Sequence, residues 1–115
     1  MSLLLGATLL CILANAGVAI ADFARAEFVL KNSAEVGVAP AAVPYLASLK
    51  LAGALGLTVG LIAMPWLGLA AGIGLVLFFV GAVAVHVRAR VLHNIAFPGF
   101  YLLLAVVATV YFAAA

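Results

Sequence analysis

Charged side chains are scarce in this chain of 115 residues: Asp, Glu, Lys and Arg make up 7% of it, and hydrophobic residues make up 70%. A soluble domain needs a polar surface and is typically about 25% charged. The composition therefore excludes a soluble globular domain and predicts that lipid surrounds the protein. Lys and Arg number only 5, too few for the clustered basic surface that nucleic acids require, so no nucleic-acid partner is expected.

Cysteine and metal-ligand patterns are almost missing as well. Cys11 is the one cysteine, which excludes an internal disulfide. His86 and His93 are not at the i, i+4 spacing of paired helical ligands, and neither has a carboxylate beside it. Because a zinc site needs three or four such ligands, no metal site is predicted. The chain also lacks phosphate-binding glycine loops and the nucleophile elbow of hydrolases.

Long apolar runs occupy most of the sequence. About 20 apolar residues cross the hydrocarbon core of a bilayer, and four such segments nearly exhaust the chain, at residues 2–21, 43–64, 66–87 and 98–115. We therefore predict an all-α fold, with residues 1–115 forming one integral membrane domain that is a four-helix transmembrane bundle. Only Pro65 separates the second and third segments, which predicts a tight antiparallel hairpin.

The longest connection, residues 22–42, is the only stretch of mixed polarity. Within it, Glu27, Lys31 and Glu35 are spaced to share one helical face, and Gly37 is well placed to end a helix. This pattern predicts a short amphipathic helix between the first two spans, lying at the membrane interface.

Glycine recurs at close-packing spacing in the second and third segments. Gly56 and Gly60 form one GxxxG pair, and Gly68 and Gly72 form another. In lipid there is little hydrophobic drive between helices, so close backbone approach supplies the association energy. We interpret these glycines as packing inside the bundle, with a homodimer face as the alternative.

The few charges are confined to two windows, residues 22–50 and 86–93. If the apolar runs cross a bilayer, all of this charge collects on one side of it. Cytoplasmic loops are enriched in Lys and Arg, so connections 22–42 and 88–96 are predicted to face the cytoplasm. Both ends of the chain would then face outward.

Lys50 is the one charge well inside a span. It lies six residues after Pro44, which is about 9 Å into the segment at 1.5 Å per residue. A charge at the centre of a span costs about 2.5–3.5 kcal/mol on insertion scales. The long stem could instead carry the ammonium back to the headgroups. The sequence leaves a functional role and this snorkelling both open.

Helix rise places several other residues near the depth of Lys50. We predict that one small polar cavity forms at this level, in which Gly81 leaves space and Asp22 and His86 lie at the mouth. The alternative for Asn15 is that its side-chain amide only forms a hydrogen bond to a neighbouring helix. The predicted site residues are Asn15, Asp22, Lys50, Gly81, His86 and Tyr101.

Four stretches carry a resemblance to a known family. They begin at Lys50 (KLAGALGL), Pro65 (PWLGLAA), Gly74 (GLVLFFVGA) and His86 (HVR). Together they resemble the DoxX-like family of small bacterial membrane proteins. The chain departs from the family pattern after Arg90, where it has Val-Leu-His-Asn instead of an early acidic residue.

The resemblance implies a four-helix bundle in the bacterial cytoplasmic membrane, and an association with membrane redox systems. The first hypothesis is therefore a membrane-embedded enzyme or redox subunit acting on a lipophilic small molecule such as a quinone. In it, Lys50 polarises or protonates the ligand, Asn15 orients it and His86 relays protons, since imidazole changes charge near neutral pH. Tyr101 and Gly81 would line the cofactor site.

Two other functions stay open at this point. One is a non-catalytic accessory subunit that assembles with itself or with a partner membrane protein. The other is a small four-helix transporter. Small multidrug-resistance proteins of similar length exchange cations for protons at a carboxylate in the first helix, and the first segment here has no acid before Asp22. That absence counts against cation–proton exchange, while an anion route past Lys50 stays open.

Overall fold

The computed structural model describes residues 2–114 and contains, within them, five α-helices and one short 3₁₀ helix. Four of the helices (α1, α3, α4 and α5) are long and apolar enough to cross a membrane. The all-α four-helix membrane bundle predicted from the sequence is thereby confirmed, although Ala115 of the last predicted span lies outside the described residues. The elements are α1 Leu3–Phe23, α2 Glu27–Glu35, the 3₁₀ helix Pro40–Ala42, α3 Val43–Ile62, α4 Pro65–Arg88 and α5 Ala96–Ala114.

The helix starts follow from local chemistry. Ser2 caps α1, because its hydroxyl oxygen accepts a hydrogen bond from the Leu5 amide at 3.0 Å. Pro44 and Pro65 lie in the first turns of α3 and α4. At such positions the missing N–H has no helical partner to lose, and the fixed φ suits the helix. Pro65 thus belongs to α4 itself, and the turn from α3 consists of Ala63 and Met64.

Three helices end in the same way at the charged end of the bundle. Arg25, Gly37 and Arg90 adopt left-handed backbone angles, with φ of 55°, 81° and 59°. After each, the next amide bonds back to a carbonyl five residues earlier, which is the Schellman ending. The predicted helix stop at Gly37 is confirmed. As a result, α1 and α4 end abruptly just beyond Asp22 and His86, so both side chains lie on last turns.

The four spanning helices form a ring in which each packs against its two neighbours. α1 and α4 lie across the ring from each other, and each contacts α3 and α5. Successive spans run in opposite directions, so every neighbouring pair is antiparallel. The core between them is built from one buried cluster: Cys11, Leu57, Leu75, Phe79, Leu104, Ala105, Ala108 and Phe112.

Glycines bring the backbones of α3 and α4 together at the seam near their connecting turn. There Gly60 packs directly on the Gly68 backbone, so closely that a Cβ on Gly60 would overlap it. Gly68 also lies against the Phe112 ring, and Gly72 lies against Thr109, both of α5. These contacts confirm the interpretation of the glycine pairs as packing inside the bundle.

Candidate functional site

A buried ion pair joins α1 to α3 near the charged end of the bundle. Lys50 Nζ lies 2.6 Å from Asp22 Oδ2, and the two side chains are only 14% and 4% exposed. Close geometry is required here, because the desolvation of two buried charges otherwise exceeds their attraction. The ammonium therefore neutralises a carboxylate inside the protein instead of snorkelling to the headgroups.

A row of aromatic rings begins beside this pair. The ammonium of Lys50 lies 5.6 Å from the centroid of the Phe78 ring, within cation–π range. Phe79 contacts both Phe78 and Tyr101, with centroids 5.0 and 5.3 Å apart. Tyr101 in turn stacks on Phe97 at 5.2 Å with an interplanar angle of 11°. The ion pair thus lies beside a continuous aromatic wall contributed by α4 and α5.

The pair and the aromatic wall border a cavity of about 470 Å³. Sites for small molecules are typically roughly 300–1,000 Å³, mostly apolar, with a few convergent polar groups. All four spanning helices contribute to this one, and α2 covers it at the charged end. The polar residues in its wall are Asp22, Asn32, Ser33, Lys50, His86, Asn94 and Tyr101.

Five of the six predicted site residues line this cavity: Asp22, Lys50, Gly81, His86 and Tyr101. Gly81 leaves space, as expected, because a Cβ there would meet no atom within 4 Å. Asp22 differs from the expectation, since it is a buried partner of Lys50 and not a residue at an open mouth. Their catalytic and cofactor-binding roles stay predictions, because lining a cavity assigns neither.

Asn15 lies outside the cavity wall, so the prediction that it borders the cavity is wrong. Its side chain is fully buried, and Nδ2 donates to the Cys11 carbonyl of the same helix at 2.9 Å. The amide oxygen has no hydrogen-bond partner among the described residues. Helix rise estimates depth but cannot give the rotation of a residue about the axis of α1. Its orienting role in catalysis stays a prediction.

His86 is held in one tautomer. Its Nδ1 lies 2.8 Å from the Ala82 carbonyl oxygen. A carbonyl can only accept, so Nδ1 is assigned as the donor. Nε2 is then the nitrogen that accepts a hydrogen bond, or takes a proton, in a residue that lines the cavity.

Tyr101 ties α5 to α1 at the inner end of the cavity. Its hydroxyl donates to the Ala14 carbonyl oxygen at 3.1 Å. The hydroxyl oxygen keeps lone pairs that can accept from a ligand. The bond to Ala14 and the stacking on Phe97 fix the ring from two sides.

Two polar contacts fasten α2 over the charged end. Asn94 Nδ2 donates to Asn32 Oδ1 at 3.2 Å. His93 Nε2 lies 3.2 Å from Glu35 Oε2; the two form an ion pair when the imidazole is protonated, but their geometry makes no hydrogen bond. Sequence reasoning predicted α2 but not this contact with the α4–α5 connection. The partners are far apart in sequence, and no spacing rule links them.

The fold and the site geometry agree with a comparison against protein families. The model of the DoxX-like family matches residues 6–108, which is nearly the whole chain. The chain belongs to the DoxX-like family. No match is found among curated proteins or among solved structures.

The departure of this DoxX-like protein from the family pattern has a structural counterpart. After Arg90, where an early acidic residue was expected, His93 and Asn94 supply the two contacts to α2. The Asn94 amide oxygen is buried and has no partner among the described residues. In this DoxX-like protein the segment therefore both fastens the cover and presents an acceptor at the cavity wall.

Metal-ligating side chains are dispersed in the DoxX-like bundle. Within residues 2–114, no three His, Cys, Asp or Glu side chains group closely enough to hold a metal ion. The expectation that the site takes no metal stays a prediction, as does the quinone.

Proposed function

We propose that this protein binds a lipophilic small molecule, such as a quinone, in the cavity beneath α2 and acts there as a membrane-embedded enzyme or redox subunit. The observation that carries the proposal is a buried Lys50–Asp22 ion pair in the wall of an otherwise largely apolar cavity. Ionisable groups inside membrane helices are costly and usually mark a functional site. The family membership supports a membrane protein of this class without assigning its reaction.

Each polar group has a role in this proposal. Lys50 carries three N–H donors, and its recorded bond to Asp22 uses one of them. Another can donate to a ligand carbonyl and polarise it. Nε2 of His86 exchanges protons at the charged end, and Tyr101 and Gly81 bound the space for the ring. Asn15, outside the wall, would act only by holding α1 in position.

The proposed location is the bacterial cytoplasmic membrane, with connections 22–42 and 88–96 in the cytoplasm. Arg25, Lys31, Arg88 and Arg90 all lie at that end, which the positive-inside rule places there. Single cysteines introduced at Lys31 and at Met64, in the Cys11→Ala background, should report opposite sides to a membrane-impermeant thiol reagent in intact cells. Labelling at Lys31 but not Met64 would reverse the orientation.

The proposal is tested by removing both charges. Lys50→Met alone leaves the Asp22 carboxylate buried and unpaired, so the cleaner variant is Asp22→Asn with Lys50→Met. A hydrogen bond from a charged group contributes about 1.5–3 kcal/mol, so the double variant should bind a short-tailed benzoquinone at least about tenfold more weakly. Binding is measured in nanodiscs, with empty nanodiscs subtracted.

The matched control is Lys31→Met, which removes an exposed lysine of α2 that does not line the cavity. It should leave binding unchanged. If the unmodified protein and the double variant bind the quinone equally well, the binding site is not at the Lys50–Asp22 pair in the cavity. If the unmodified protein does not bind the quinone at all, a non-catalytic accessory subunit becomes the better account.

A further inference from the structure

The seam between α3 and α4 follows a single antiparallel register and then opens. From the connecting turn, the successive contacts are Gly60 with Gly68, Gly56 with Ala71, Gly53 with Leu75, and Lys50 with the Phe78 ring. The next turn of each helix brings Leu46 and Gly81. Both line the cavity, and Gly81 has open space where a side chain would be. The seam therefore parts one turn beyond the ion pair.

This opening reaches the outer surface of the bundle. Gly81 is exposed, and so is Leu77 one turn away on α4, which is 68% exposed. Both residues also line the cavity. The cavity is thus continuous with the surface that faces lipid, while α2 covers its charged end.

A second, apolar groove of about 600 Å³ runs along the outside of α3 and α4. Small residues form its floor, among them Ala52, Gly56, Ala70 and Gly74. It shares Leu77 and Phe78 with the cavity, so the two spaces meet at a common wall. From Leu77 the groove extends to Leu67, which is about 15 Å at 1.5 Å per residue.

The charge of the inner site restricts what the head of a ligand can be. Asp22 neutralises Lys50 at 2.6 Å, so the pair has no net charge. An anionic head would bring a second, uncompensated charge into the apolar cavity, which is costly. A neutral head with a carbonyl or hydroxyl oxygen can accept from Lys50 without that cost.

We propose that the occupant is a neutral amphiphile with one long hydrocarbon tail, whose head binds at the Lys50–Asp22 pair and whose tail lies in the α3–α4 groove. The tail leaves the cavity beside Gly81 and Leu77. The groove accommodates roughly ten to twelve extended carbons over its 15 Å of helix. This inference rests on the proposed function and specifies its ligand as one delivered sideways from the bilayer.

Photocrosslinking tests the position of the tail directly. Two probes carry the same twelve-carbon tail with a terminal diazirine, one on a benzoquinone head and one on a glycerol monoester head. The protein is labelled in phosphatidylcholine nanodiscs, and the sites are mapped by mass spectrometry. We expect labelling around Gly74 and Gly56 to exceed that around Gly17 on α1 severalfold. An excess of the same compound without diazirine should abolish the difference.

Matched glycine variants locate the tail more sharply. Gly74 and Gly17 are both exposed, and a Cβ on either would meet no atom within 4 Å. Gly74→Leu fills the groove and should lower labelling there severalfold, whereas Gly17→Leu should not change it. Labelling spread evenly over the lipid-facing surface, or unaffected by Gly74→Leu, would overturn the inference.

A third probe, with its diazirine next to the quinone head, separates the two proposals. If the third probe labels the cavity but the tail probes label the lipid-facing surface evenly, the tail site is wrong and the proposed function stands. Groove labelling by the monoester alone keeps the tail site and removes the quinone. If neither head produces labelling above that around Gly17, both proposals fail.

Discussion

The two ends of the α3–α4 seam are built on opposite principles. At the connecting turn, Gly60 lies on the Gly68 backbone with no room for a Cβ. At the charged end, Gly81 faces open space, and Lys50 turns inward to Asp22 across a gap lined by aromatic rings. The same two helices are thus in backbone contact at one end, the closed end, and are separated around polar groups at the other, the open end.

The difference teaches how a bundle without a hydrophobic driving force can keep a cavity. Helices in lipid associate through close packing and through polar contacts. The glycine contacts at the closed end supply the first. The Lys50–Asp22 bond and the bond from Tyr101 to Ala14 supply the second at the open end. The close packing at the closed end thus stabilises the bundle while the polar contacts leave room for the cavity at the open end.

The largest effect is expected at the open end, from Asp22→Asn. Removing one partner of a buried ion pair costs about 3–5 kcal/mol, because it leaves the other charge unpaired. Adding Lys50→Met should restore most of that loss, since replacing the whole pair by uncharged groups is often nearly neutral. Thermal unfolding in dodecyl maltoside, followed by circular dichroism, measures both. Additive losses in the double variant would show that the pair does not hold this end together.

The closed end is tested by Gly60→Ala. A Cβ at Gly60 would overlap the Gly68 backbone, and overpacking of this kind typically costs about 1–3 kcal/mol. Gly81→Ala is the matched control on the same seam, where the added carbon meets nothing and the unfolding temperature should not fall. The same unfolding assay applies. Equal unfolding temperatures for the two variants would show that the closed end is not packed more tightly than the open end.

Much of this architecture could be predicted from the sequence. The four spans follow from apolar runs of sufficient length, and Gly37 and Pro65 marked real helix boundaries. These signals are local, because each depends on residues within one or two turns. The depth of Lys50 in its span was also local information, and Lys50 does line the cavity.

The contacts of the site were harder to predict, because they depend on rotation and on side-chain reach. The Asn15 amide bonds to Cys11 of its own helix and not to a group at the cavity wall. Asp22 and Lys50 were both candidates, yet their bond needs a particular pairing of α1 with α3. Asn32 and Asn94 meet only because α2 crosses the end of the bundle, which no periodicity in either segment indicates.

A smaller loss is expected from Tyr101→Phe at the open end. The change removes the hydroxyl bond to the Ala14 carbonyl but keeps the ring against Phe97 and Phe79. A single hydrogen bond contributes about 0.5–1.5 kcal/mol. Tyr111→Phe is the control at the other end of α5, because no hydrogen bond of its hydroxyl is recorded within residues 2–114. A lower unfolding temperature for Tyr111→Phe than for Tyr101→Phe would contradict this account.

The smallest effect concerns the cover of the open end. Glu35→Gln removes the ion pair that Glu35 forms with a protonated His93, whose side chain is 68% exposed. Exposed pairs contribute about 0.2–1 kcal/mol, so global stability should barely change. Opening of α2 should nevertheless become more frequent, because few other contacts fasten it to the α4–α5 connection. Hydrogen exchange of the α2 amides reports that opening.

The partner variant decides whether the ion pair is the cause. If Glu35 and His93 act through one contact, then Glu35→Gln, His93→Gln and the double variant should speed α2 exchange by the same factor. Hydrogen exchange in α3 and α4 at the closed end should stay unchanged in all three variants. Independent, additive effects would show that Glu35 holds α2 by another route. The position of α2 would then depend on the buried Val29 and Val36 and on the Asn32–Asn94 bond. In that case α2 is held over the cavity mainly by packing, as α3 and α4 are held together at the closed end.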